Sequence, residues 1–549
     1  MKNQTTISFI KANIKGKKHQ VFLLSLIQVF LGIATVSFAF LLRFVIGALE
    51  EKDYSSFLVY FFIMMGIAIF LIGLQVFYHF YYEYAYVEIE NSLKNNLFKK
   101  ILHKDYGEVK ALHEEEWIHR LSVDCNIIAS SILSILPSLF RMLVQLLLAL
   151  GAIIYLFPIF GVSLLPCILL AILLTYFMRK RLKKLNLEMQ EKEGKAKSFF
   201  SESLQGLSII HSFVKEDIFS KKEEEIVEES KKARLKKNNF SILCSLSYIL
   251  VYYLAYLLAI FFAGKAIIDG TMQIALLTAM IALLAQLTGP LGNLTGIIPR
   301  YYSLLASGER IHQEEKEAPK YLSEEEIKDY YDSSFSSIEV KDVSYSYLDK
   351  FGNKVQALDH FSLSIPKGSH ILLYGPSGGG KTTLFKLLLN LAKPEGGSIS
   401  LKGKEEIPLE ENYERLFGYV PQENLLMQGT ILETVTLFDE NPDQERFQKA
   451  LKIADAASFV SALPLQEKTH LNEKGSGLSL GQMERLAIAR AIYMDCPILL
   501  LDECCASLDK ESEKKVMESI LSLKEKTIVM ISHHEYDPSC FDSLIELGN

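Results

Sequence analysis

The chain has 549 residues, enough for two or more domains, and its formal net charge of −7 gives no indication of a nucleic-acid partner. Hydrophobic residues make up 49% of the sequence and are concentrated in long uninterrupted runs within roughly the first 310 positions, which excludes a wholly soluble protein. The seven cysteines show no metal-ligand spacing, and we interpret them as reduced structural thiols.

Six apolar runs of about 20 residues or more predict six membrane-spanning helices. They lie near residues 21–49, 55–80, 133–157, 159–178, 242–264 and 274–298. The first run follows a cluster of lysines and is too long for the apolar core of a cleavable signal peptide, so we expect a true span with the N-terminus in the cytoplasm. Six spans return the chain to that side, and both termini are predicted there.

The connections between the runs are unequal in length. Those after the second and fourth runs are roughly 50 and 60 residues long and combine dense charge with helical periodicity. We therefore expect these spans to continue as helices well into the cytoplasm. The basic segment 179–184 places the end of the fourth run on the cytoplasmic side.

Several ionisable residues lie within or near the apolar runs, where charge is costly. They are Arg43, His79, Glu83, Arg141 and Arg300. Two interpretations stay open: the side chains reach the membrane interface along their apolar stems, which we favour, or they line a substrate path together with the tyrosine-rich segment 78–84.

A polar, acidic stretch separates the membrane half from the rest of the chain. We predict a transmembrane domain over residues 1–311, a linker with a short surface helix over residues 312–335, and a soluble α/β domain over residues 336–549. Residues 336–347 alternate in the manner of a strand, and Gly352-Asn353 is typical of a hairpin turn.

Residues 375–383 read Gly-Pro-Ser-Gly-Gly-Gly-Lys-Thr-Thr, a full match to the phosphate-binding pattern G-x-x-x-x-G-K-[ST]. A predicted strand, 370–374, precedes the loop and a predicted helix follows it, which is the context that the motif requires and which a chance glycine-rich turn would lack. We expect Lys381 to reach the β- and γ-phosphate oxygens of ATP and the Thr382 hydroxyl to bind Mg²⁺. The candidate ATP-binding residues of the loop are Gly375, Ser377, Gly378, Gly380, Lys381, Thr382 and Thr383.

Two further apolar segments end in residues suited to phosphate chemistry. The strand predicted over residues 497–501 leads into Asp502 and Glu503, where the first carboxylate can hold Mg²⁺ and the second can polarise an attacking water. A second strand, 527–532, leads into His533, which we expect to contact the γ-phosphate. The alternative, that these are solvated strand ends, is disfavoured by their combination with the phosphate loop.

Between these segments, residues 478–491 read Leu-Ser-Leu-Gly-Gln-Met-Glu-Arg-Leu-Ala-Ile-Ala-Arg-Ala and resemble the signature segment of ATP-binding cassette (ABC) proteins. The resemblance implies that Ser479, Gly481 and Gln482 contact the γ-phosphate held by a second cassette. It also implies an adenine-stacking role for Tyr347, and it places Gln422 at the Mg²⁺ and the attacking water. Asp509 matches the acidic residue that follows the catalytic glutamate in this family, and the resemblance places it among the ATP-binding residues.

The resemblance extends over nearly the whole chain, because six spans followed by a cassette are similar to an ABC exporter half-transporter. It implies an all-α six-helix transmembrane domain joined to an α/β P-loop NTPase domain of the ABC type, working as a dimer in the cytoplasmic membrane with ATP and Mg²⁺. A homodimer is favoured and a heterodimer is possible. The segments 112–120 (with Asp124) and 206–213 resemble the two coupling helices, and Glu473 resembles a residue that contacts the partner's coupling helix.

The implied function is ATP-driven export of an amphipathic peptide, drug-like compound or lipid across the lipid bilayer. The alternative is a membrane ATPase that transports nothing and regulates a channel or partner protein. No peptidase domain is expected before the first span, so a peptide cargo would lose its leader elsewhere.

The sequence departs from the family pattern at three places. Leu480 replaces the first glycine of the pair in the signature, residues 506–508 read Ala-Ser-Leu, and Thr434 replaces the usual asparagine. Because Ser479 and Glu503 are retained along with the rest of the site, we predict a cassette that is competent in hydrolysis.

Overall fold

The structure is a computed structural model, and it describes residues 15–104, 106–110, 112, 114–312, 322–348, 353–376, 378–409, 411–422, 426–472, 475, 477–533 and 536–548. The chain divides into two compact units. The first contains residues 1–99 and 114–315, and the second contains residues 100–113 and 316–549.

The chain before residue 313 is helical throughout its described part. In chain order its helices are α1 (Lys18–Glu50), α2 (Tyr54–Leu102), α3 (Tyr106–Lys110), α4 (Glu114–His119), α5 (Cys125–Leu156), α6 (Pro158–Gln205), α7 (Leu207–Ser212), α8 (Glu216–Ile268) and α9 (Ile274–His312). All six predicted spans fall within helices of this set. By length and composition, four helical segments of the described chain can cross a membrane, namely Lys18–Glu50, Tyr54–Leu102, Glu114–Leu156 and Glu216–Ile268.

Three of these helices are far longer than a bilayer requires. Helices α2, α6 and α8 contain 49, 48 and 53 residues, which corresponds to roughly 75 Å at about 1.5 Å per residue, against a hydrocarbon core of about 30 Å. The prediction that the spans continue as helices through the charged connections is thereby confirmed.

Short helices lie between the long ones at both segments that resemble coupling helices. Helix α7 lies between Gly206 and Phe213, at the predicted position of the second coupling helix. In the segment 112–120 predicted for the first, α4 spans Glu114–His119 and leads through a π-helical turn (Arg120–Asp124) into α5, and the short helix α3 precedes it. The coupling role of both segments stays a prediction.

Asp124 is held by a buried polar cluster at the start of α5 and the end of α9. The Arg310 Nε donates to the Asp124 carboxylate over 2.7 Å, a second guanidinium nitrogen of Arg310 also donates to it, and the Ser307 hydroxyl donates to it over 2.8 Å. Arg120 donates to the carbonyl oxygen of Arg310 over 3.2 Å. A π-helical turn is a rare element that is frequently found at functional sites.

The second unit is an α/β fold with three sheets. Its strands are β1 (Ser337–Leu348), β2 (Lys354–Pro366), β3 (His370–Tyr374), β4 (Gly396–Lys402), β5 (Glu406–Pro408), β6 (Phe417–Val420), β7 (Gly429–Thr430), β8 (His470–Leu471), β9 (Ile498–Asp502), β10 (Thr527–Ile531) and β11 (Ser543–Glu546). Its helices are α10 (Glu324–Ser333), α11 (Lys381–Leu388), α12 (Ile431–Thr436), α13 (Gln444–Ile453), α14 (Ala457–Ala462), α15 (Leu480–Tyr493) and α16 (Lys510–Leu521).

A five-stranded parallel sheet with the order β11-β3-β10-β9-β6 forms the centre of this unit. Its strands β3, β9 and β10 are short, apolar and almost wholly buried, as expected for a parallel sheet covered on both faces. A four-stranded antiparallel sheet, β2-β1-β4-β5, lies beside it, and the predicted hairpin joins β1 to β2. Gly352 of that hairpin lies outside the described residues.

The short helix predicted in the linker forms, and its inner face packs in the core of the second unit. A capping box at Ser323 starts α10, and its residues Ile327 and Tyr331 are 3% exposed and pack in the core cluster that contains Ile371. The Tyr331 hydroxyl also lies 2.8 Å from the Thr527 hydroxyl of β10. The polar composition of this segment reflects only its outer face.

Candidate active site

The register of the parallel sheet brings the predicted site residues to one edge. Ile531 of β10 pairs with Leu373 of β3 and with Asp502 of β9, and Val420 of β6 pairs with Leu501 of β9. The segments that follow these strands therefore leave the sheet at the same, carboxyl edge. Ligands of open α/β sheets bind at such an edge.

The phosphate loop leaves β3 at this edge and depends on its glycines. Gly375, Gly378 and Gly380 have φ values of 142°, 85° and 85°, which L side chains rarely adopt. A Cβ at Gly375 would lie 2.0 Å from the carbonyl oxygen of Leu547, whereas one at Gly378 would meet nothing within 4 Å. The first glycine is thus required by packing, and the second leaves the backbone open to a ligand. Ser377 lies outside the described residues.

Lys381 is the first residue of α11 and is 6% exposed. Its ammonium group donates to the carbonyl oxygens of Gly375 and Pro376 over 2.8 and 2.9 Å, so it lies inside the loop that it serves. Phosphate oxygens bound in this loop would compete with these two carbonyls for the ammonium group. The start of α11 adds the positive end of a helix dipole to the same place.

Asp502 ends β9 as a fully buried carboxylate, and neither of its oxygens makes a hydrogen bond of good geometry. Burial raises the pKa of Asp502 to about 6, while the Thr382 hydroxyl and the ammonium groups of Lys386 and Lys381 act in the opposite direction. A buried carboxylate with no hydrogen bond of good geometry, beside a threonine hydroxyl and a phosphate loop, fits a Mg²⁺ shell completed by phosphate oxygens. The described residues contain no cluster of three or more His, Cys, Asp or Glu side chains able to hold a metal alone.

Glu503 is held from two sides by the other predicted catalytic residues. The Gln422 side-chain amide donates to Oε2 over 2.9 Å, and Nε2 of His533 lies 2.9 Å from Oε1. Glu503 itself has a φ of 50°, in the left-handed region, and its N–H donates to the carbonyl oxygen of Ile531. Backbone strain of this kind costs on the order of 1 kcal/mol or more and is common at functional sites.

Tyr347 lies beside the helix that follows the phosphate loop. Its hydroxyl is 3.3 Å from the Thr383 hydroxyl, and the Lys386 ammonium lies 5.5 Å from the centre of its ring. The ring is 37% exposed, which leaves a face available for a planar ligand. The adenine-stacking role stays a prediction.

The signature segment forms the start of α15, a helix of 14 residues. Ser479 and Gln482 form a capping box: the Ser479 hydroxyl accepts from the Gln482 N–H, and the Gln482 side chain accepts from the Ser479 N–H. A Cβ at Gly481 would lie 3.1 Å from the Ser507 carbonyl oxygen, so the helix start packs closely on the next loop. Leu480, the departure from the family pattern, is 57% exposed.

Sequence reasoning missed one residue of this region, Glu484. It is 4% exposed, and both of its carboxylate oxygens accept a hydrogen bond from the Ser507 N–H, at 3.2 and 3.0 Å. Glu484 therefore connects the signature helix to the loop after Glu503. A charged residue on the apolar face of a helix was the signal available in the sequence.

Two other predicted residues have structural partners of their own. Asp509 caps α16 by accepting from the N–H groups of Glu511 and Ser512, and these bonds lower its pKa. The Thr434 hydroxyl donates to the Met427 carbonyl oxygen, so threonine fills the asparagine position without a lost bond. Glu473 lies outside the described residues.

Two family models match the chain. The model of the ABC transporter transmembrane region covers residues 21–291, and the ABC transporter model covers residues 358–506, which include the phosphate loop, the signature and both carboxylates. The chain belongs to the ABC transporter family. Its cassette is accordingly an ATP-binding domain of the type that hydrolyses ATP, and its helical unit is a membrane domain.

Individual relatives agree with this assignment. The chain is 29% identical over 379 residues to the transport/processing ATP-binding protein ComA of Streptococcus pneumoniae, covering 68% of this chain and 52% of ComA. It is 28% identical over 424 residues to the ATP-dependent lipid A-core flippase of Desulfotalea psychrophila, covering 76% of this chain and 72% of the flippase. For several curated relatives that it matches, ComA among them, the chain spans about half of the relative's own length.

A solved structure supports the fold alone. A bacterial Atm1-family ABC exporter with ATP bound superposes with a TM-score of 0.81, covering 97% of this chain and 94% of that chain, at 19% sequence identity. The predicted fold, a helical transmembrane domain followed by an ABC-type nucleotide-binding domain, is confirmed.

Proposed function

We propose that this ABC transporter chain is one half of a dimeric exporter that uses ATP hydrolysis to move an amphipathic substrate across the cytoplasmic membrane. The observation that supports this most directly is the pair of contacts that hold Glu503 between Gln422 and His533 in a chain that also carries the transmembrane helices. A cassette that had lost hydrolysis would have no reason to keep this arrangement.

The chemistry follows from the groups at the sheet edge. Lys381 binds the phosphate chain, and the Glu503 carboxylate accepts a proton from the attacking water as it approaches the γ-phosphate. Gln422 and His533 fix the orientation of that carboxylate, and His533 also contacts the γ-phosphate. Thr382, Asp502 and Gln422 would hold Mg²⁺, which would neutralise phosphate charge.

A dimer is proposed because the family pattern pairs the signature of one cassette with the phosphate loop of another. Ser479 and the N–H groups at the start of α15 are suited to bind an anion, and the family pattern assigns that anion to the phosphate loop of a second cassette. A homodimer is the simpler assembly, because this chain retains every catalytic residue, and a partner chain with a related cassette is the alternative. In both cases both termini and the cassettes would lie in the cytoplasm.

The substrate is proposed at the level of a chemical class. ComA is named for transport and processing, and the flippase for lipid A-core, so the names of relatives of comparable identity do not point to one substrate. Net transport further requires that the outward-facing state bind the substrate more weakly than the inward-facing state. We expect an amphipathic peptide, a drug-like compound or a lipid.

The test is ATP hydrolysis by the purified chain in lipid discs, with and without amphipathic peptides, lipophilic cations and lipids. An exporter is expected to hydrolyse ATP slowly alone and faster with its substrate. Hydrolysis that no substrate changes, combined with absence of uptake into inside-out vesicles, would favour the alternative of a membrane ATPase that regulates a partner.

Glu503→Gln is the control for the chemistry. The amide cannot accept the proton from the attacking water, so steady-state hydrolysis is expected to fall by at least about 100-fold while ATP binding is kept. Binding is measured with a fluorescent ATP analogue and competing ATP. Unchanged turnover in this variant would remove Glu503 from the proposed role.

A further inference from the structure

Two adjacent cysteines, Cys504 and Cys505, directly follow Glu503 and play no part in the chemistry described above. They are 2% and 4% exposed, and their sulfur atoms lie 3.6 Å apart. Neither is in a disulfide. A buried pair of thiols at this distance can act together on one ligand.

The local backbone explains why the two side chains converge. In a continuing strand, successive side chains would point to opposite faces of the sheet. Strand β9 instead ends at Asp502, and the chain turns, with the Ala506 N–H donating to the Glu503 carbonyl oxygen and the Leu508 N–H donating to that of Cys505. The turn places both thiols on the same side.

A small cavity of about 30 Å³ reaches both thiols. It is lined by Glu503, His533 and Tyr536 among others, and the side chain of His533 is 43% exposed, so one wall of the cavity faces solvent. A volume of this size holds about one or two water molecules. Only a compact ligand can enter.

The donor set selects the chemical class of that ligand. The described residues of this region form no group of three His, Cys, Asp or Glu side chains that could hold a metal ion, so the tetrahedral site that zinc prefers is absent from them. Two convergent thiols suit a trivalent thiophile that needs only two sulfur bonds. Inorganic arsenite is compact enough for the cavity.

We propose that Cys504 and Cys505 form a dithiol site that binds trivalent inorganic arsenic and thereby inhibits ATP hydrolysis. Arsenous acid, As(OH)₃, exchanges two hydroxyl groups for the two thiols. Two As–O bonds break, two As–S bonds form, and the two thiol protons leave in two water molecules. Arsenic stays trivalent, so no oxidant or reductant takes part.

Binding at this site would act on the neighbouring catalytic groups. The bridge closes the turn that starts at Glu503 and leads to Ser507, which Glu484 holds to the signature helix. It also fills the cavity against His533. Inhibition rests on the ATP hydrolysis proposed above, whereas binding of arsenic does not.

The experiment uses sodium arsenite and the full chain in lipid discs, with intact mass and ATP hydrolysis as separate readouts. The wild-type chain is expected to gain one arsenic and to lose activity, with both effects reversed by 2,3-dimercaptopropanol. Cys504→Ala and Cys505→Ala should each require at least about 100-fold more arsenite, because the second sulfur bond then no longer forms within the same site. Cys540→Ala, which removes an exposed single cysteine, is the matched control and should stay sensitive.

A second variant retains only the Cys504–Cys505 pair. It carries alanine at Cys125, Cys167, Cys244, Cys496 and Cys540. One arsenic per chain in this variant would support the site, and an unchanged mass in both this variant and the wild type would overturn it. Arsenic binding without any hydrolysis in the untreated chain would count against the proposed function while supporting the dithiol site.

Discussion

The buried carboxylate of Asp502 is suited to bind Mg²⁺ but destabilises the folded chain. Its carboxylate is buried without a hydrogen bond of good geometry, and burial raises its pKa from 3.8 to about 6. The folded chain therefore binds this proton more tightly than the unfolded chain does. The free energy of unfolding should fall as the pH rises from about 4 to about 6 and stay lower above that range.

Asp502→Asn is expected to stabilise the chain in the absence of Mg²⁺ and nucleotide while abolishing Mg²⁺-dependent hydrolysis. A pKa shift from 3.8 to about 6 corresponds to roughly 3 kcal/mol of destabilisation by the charged carboxylate, at about 1.36 kcal/mol per unit. We expect the asparagine variant to recover about 2 kcal/mol of this, because its buried amide also needs hydrogen-bond partners. Thermal unfolding at pH 7.5 and at pH 4.5 measures this. An equal gain at both pH values would show that the carboxylate charge is not the cause.

Glu503 could be named from the sequence, but its surroundings could not. The apolar strand followed by two carboxylates is a local pattern, whereas the Gln422 amide comes from 81 residues away. The left-handed φ of Glu503 is likewise set by the turn after β9 and by the Ile531 carbonyl oxygen that accepts its N–H. A local pattern carries no information on such contacts.

Helix α15 shows at the scale of an element that one residue can have a structural and a functional role. Ser479 caps its own helix, and it is also the residue proposed to contact the phosphate of a second cassette. The loss of activity in a Ser479 variant would be ambiguous without a matched control. Ser323 is that control, because it forms the same capping box at the start of α10.

Ser479→Ala and Ser323→Ala should each lower the free energy of unfolding by about 1 kcal/mol through loss of the cap. Only Ser479→Ala should lower ATP hydrolysis, and the expected decrease is about tenfold or more because a hydrogen bond to a charged phosphate is lost. Steady-state hydrolysis and thermal unfolding are measured on both variants. Equal hydrolysis by the two variants would show that Ser479 only caps its helix and does not contact the phosphate.

The buried cluster around Asp124 joins the start of α5 to the end of α9. Asp124→Asn leaves the Arg310 guanidinium without its anion, and we expect the free energy of unfolding to fall by about 3 kcal/mol. This is the lower end of the range for a broken buried pair, because the Arg310 side chain is 38% exposed. Thermal unfolding in lipid discs tests this. The control is Glu229→Gln, which breaks the exposed ion pair with Lys192 and should leave the unfolding temperature nearly unchanged.

At the scale of the whole molecule, the dimer proposal makes its own prediction. Lys381→Ala disables the phosphate loop, and Ser479→Ala disables the signature, so each variant alone should hydrolyse ATP poorly. A dimer that contains one chain of each kind has one site with both defects and one site with neither. Coexpression with different tags, followed by purification on both, should restore a measurable part of the hydrolysis.

The same mixture separates the proposed assembly from a working monomer. If each chain formed its site alone, the mixed dimer would be as inactive as its parents. A mixed dimer of Lys381→Ala with Glu503→Gln is the control that should stay inactive. Lys381 and Glu503 of one chain serve the same nucleotide, so one site of this dimer carries the first defect and the other site carries the second.

The sequence by itself determined the membrane and cassette architecture, the phosphate loop, the two carboxylates after β9 and the signature. These features are local: a run of apolar residues, a spacing of glycines or a strand that ends in an acid can be identified without knowing what lies nearby. The structure agrees with the predicted strands at β3, β9 and β10, and with helices at all six predicted spans.

The tertiary structure alone decided the features that join distant parts of the chain. Arg310 pairs with Asp124 across 186 residues, and this pairing joins the start of α5 to the end of α9. Tyr331 reaches Thr527 across 196 residues, which draws α10 into the cassette core. Cys504 and Cys505 converge only because the chain turns after β9. Such contacts depend on which surfaces folding brings together, and no short stretch of sequence contains both partners.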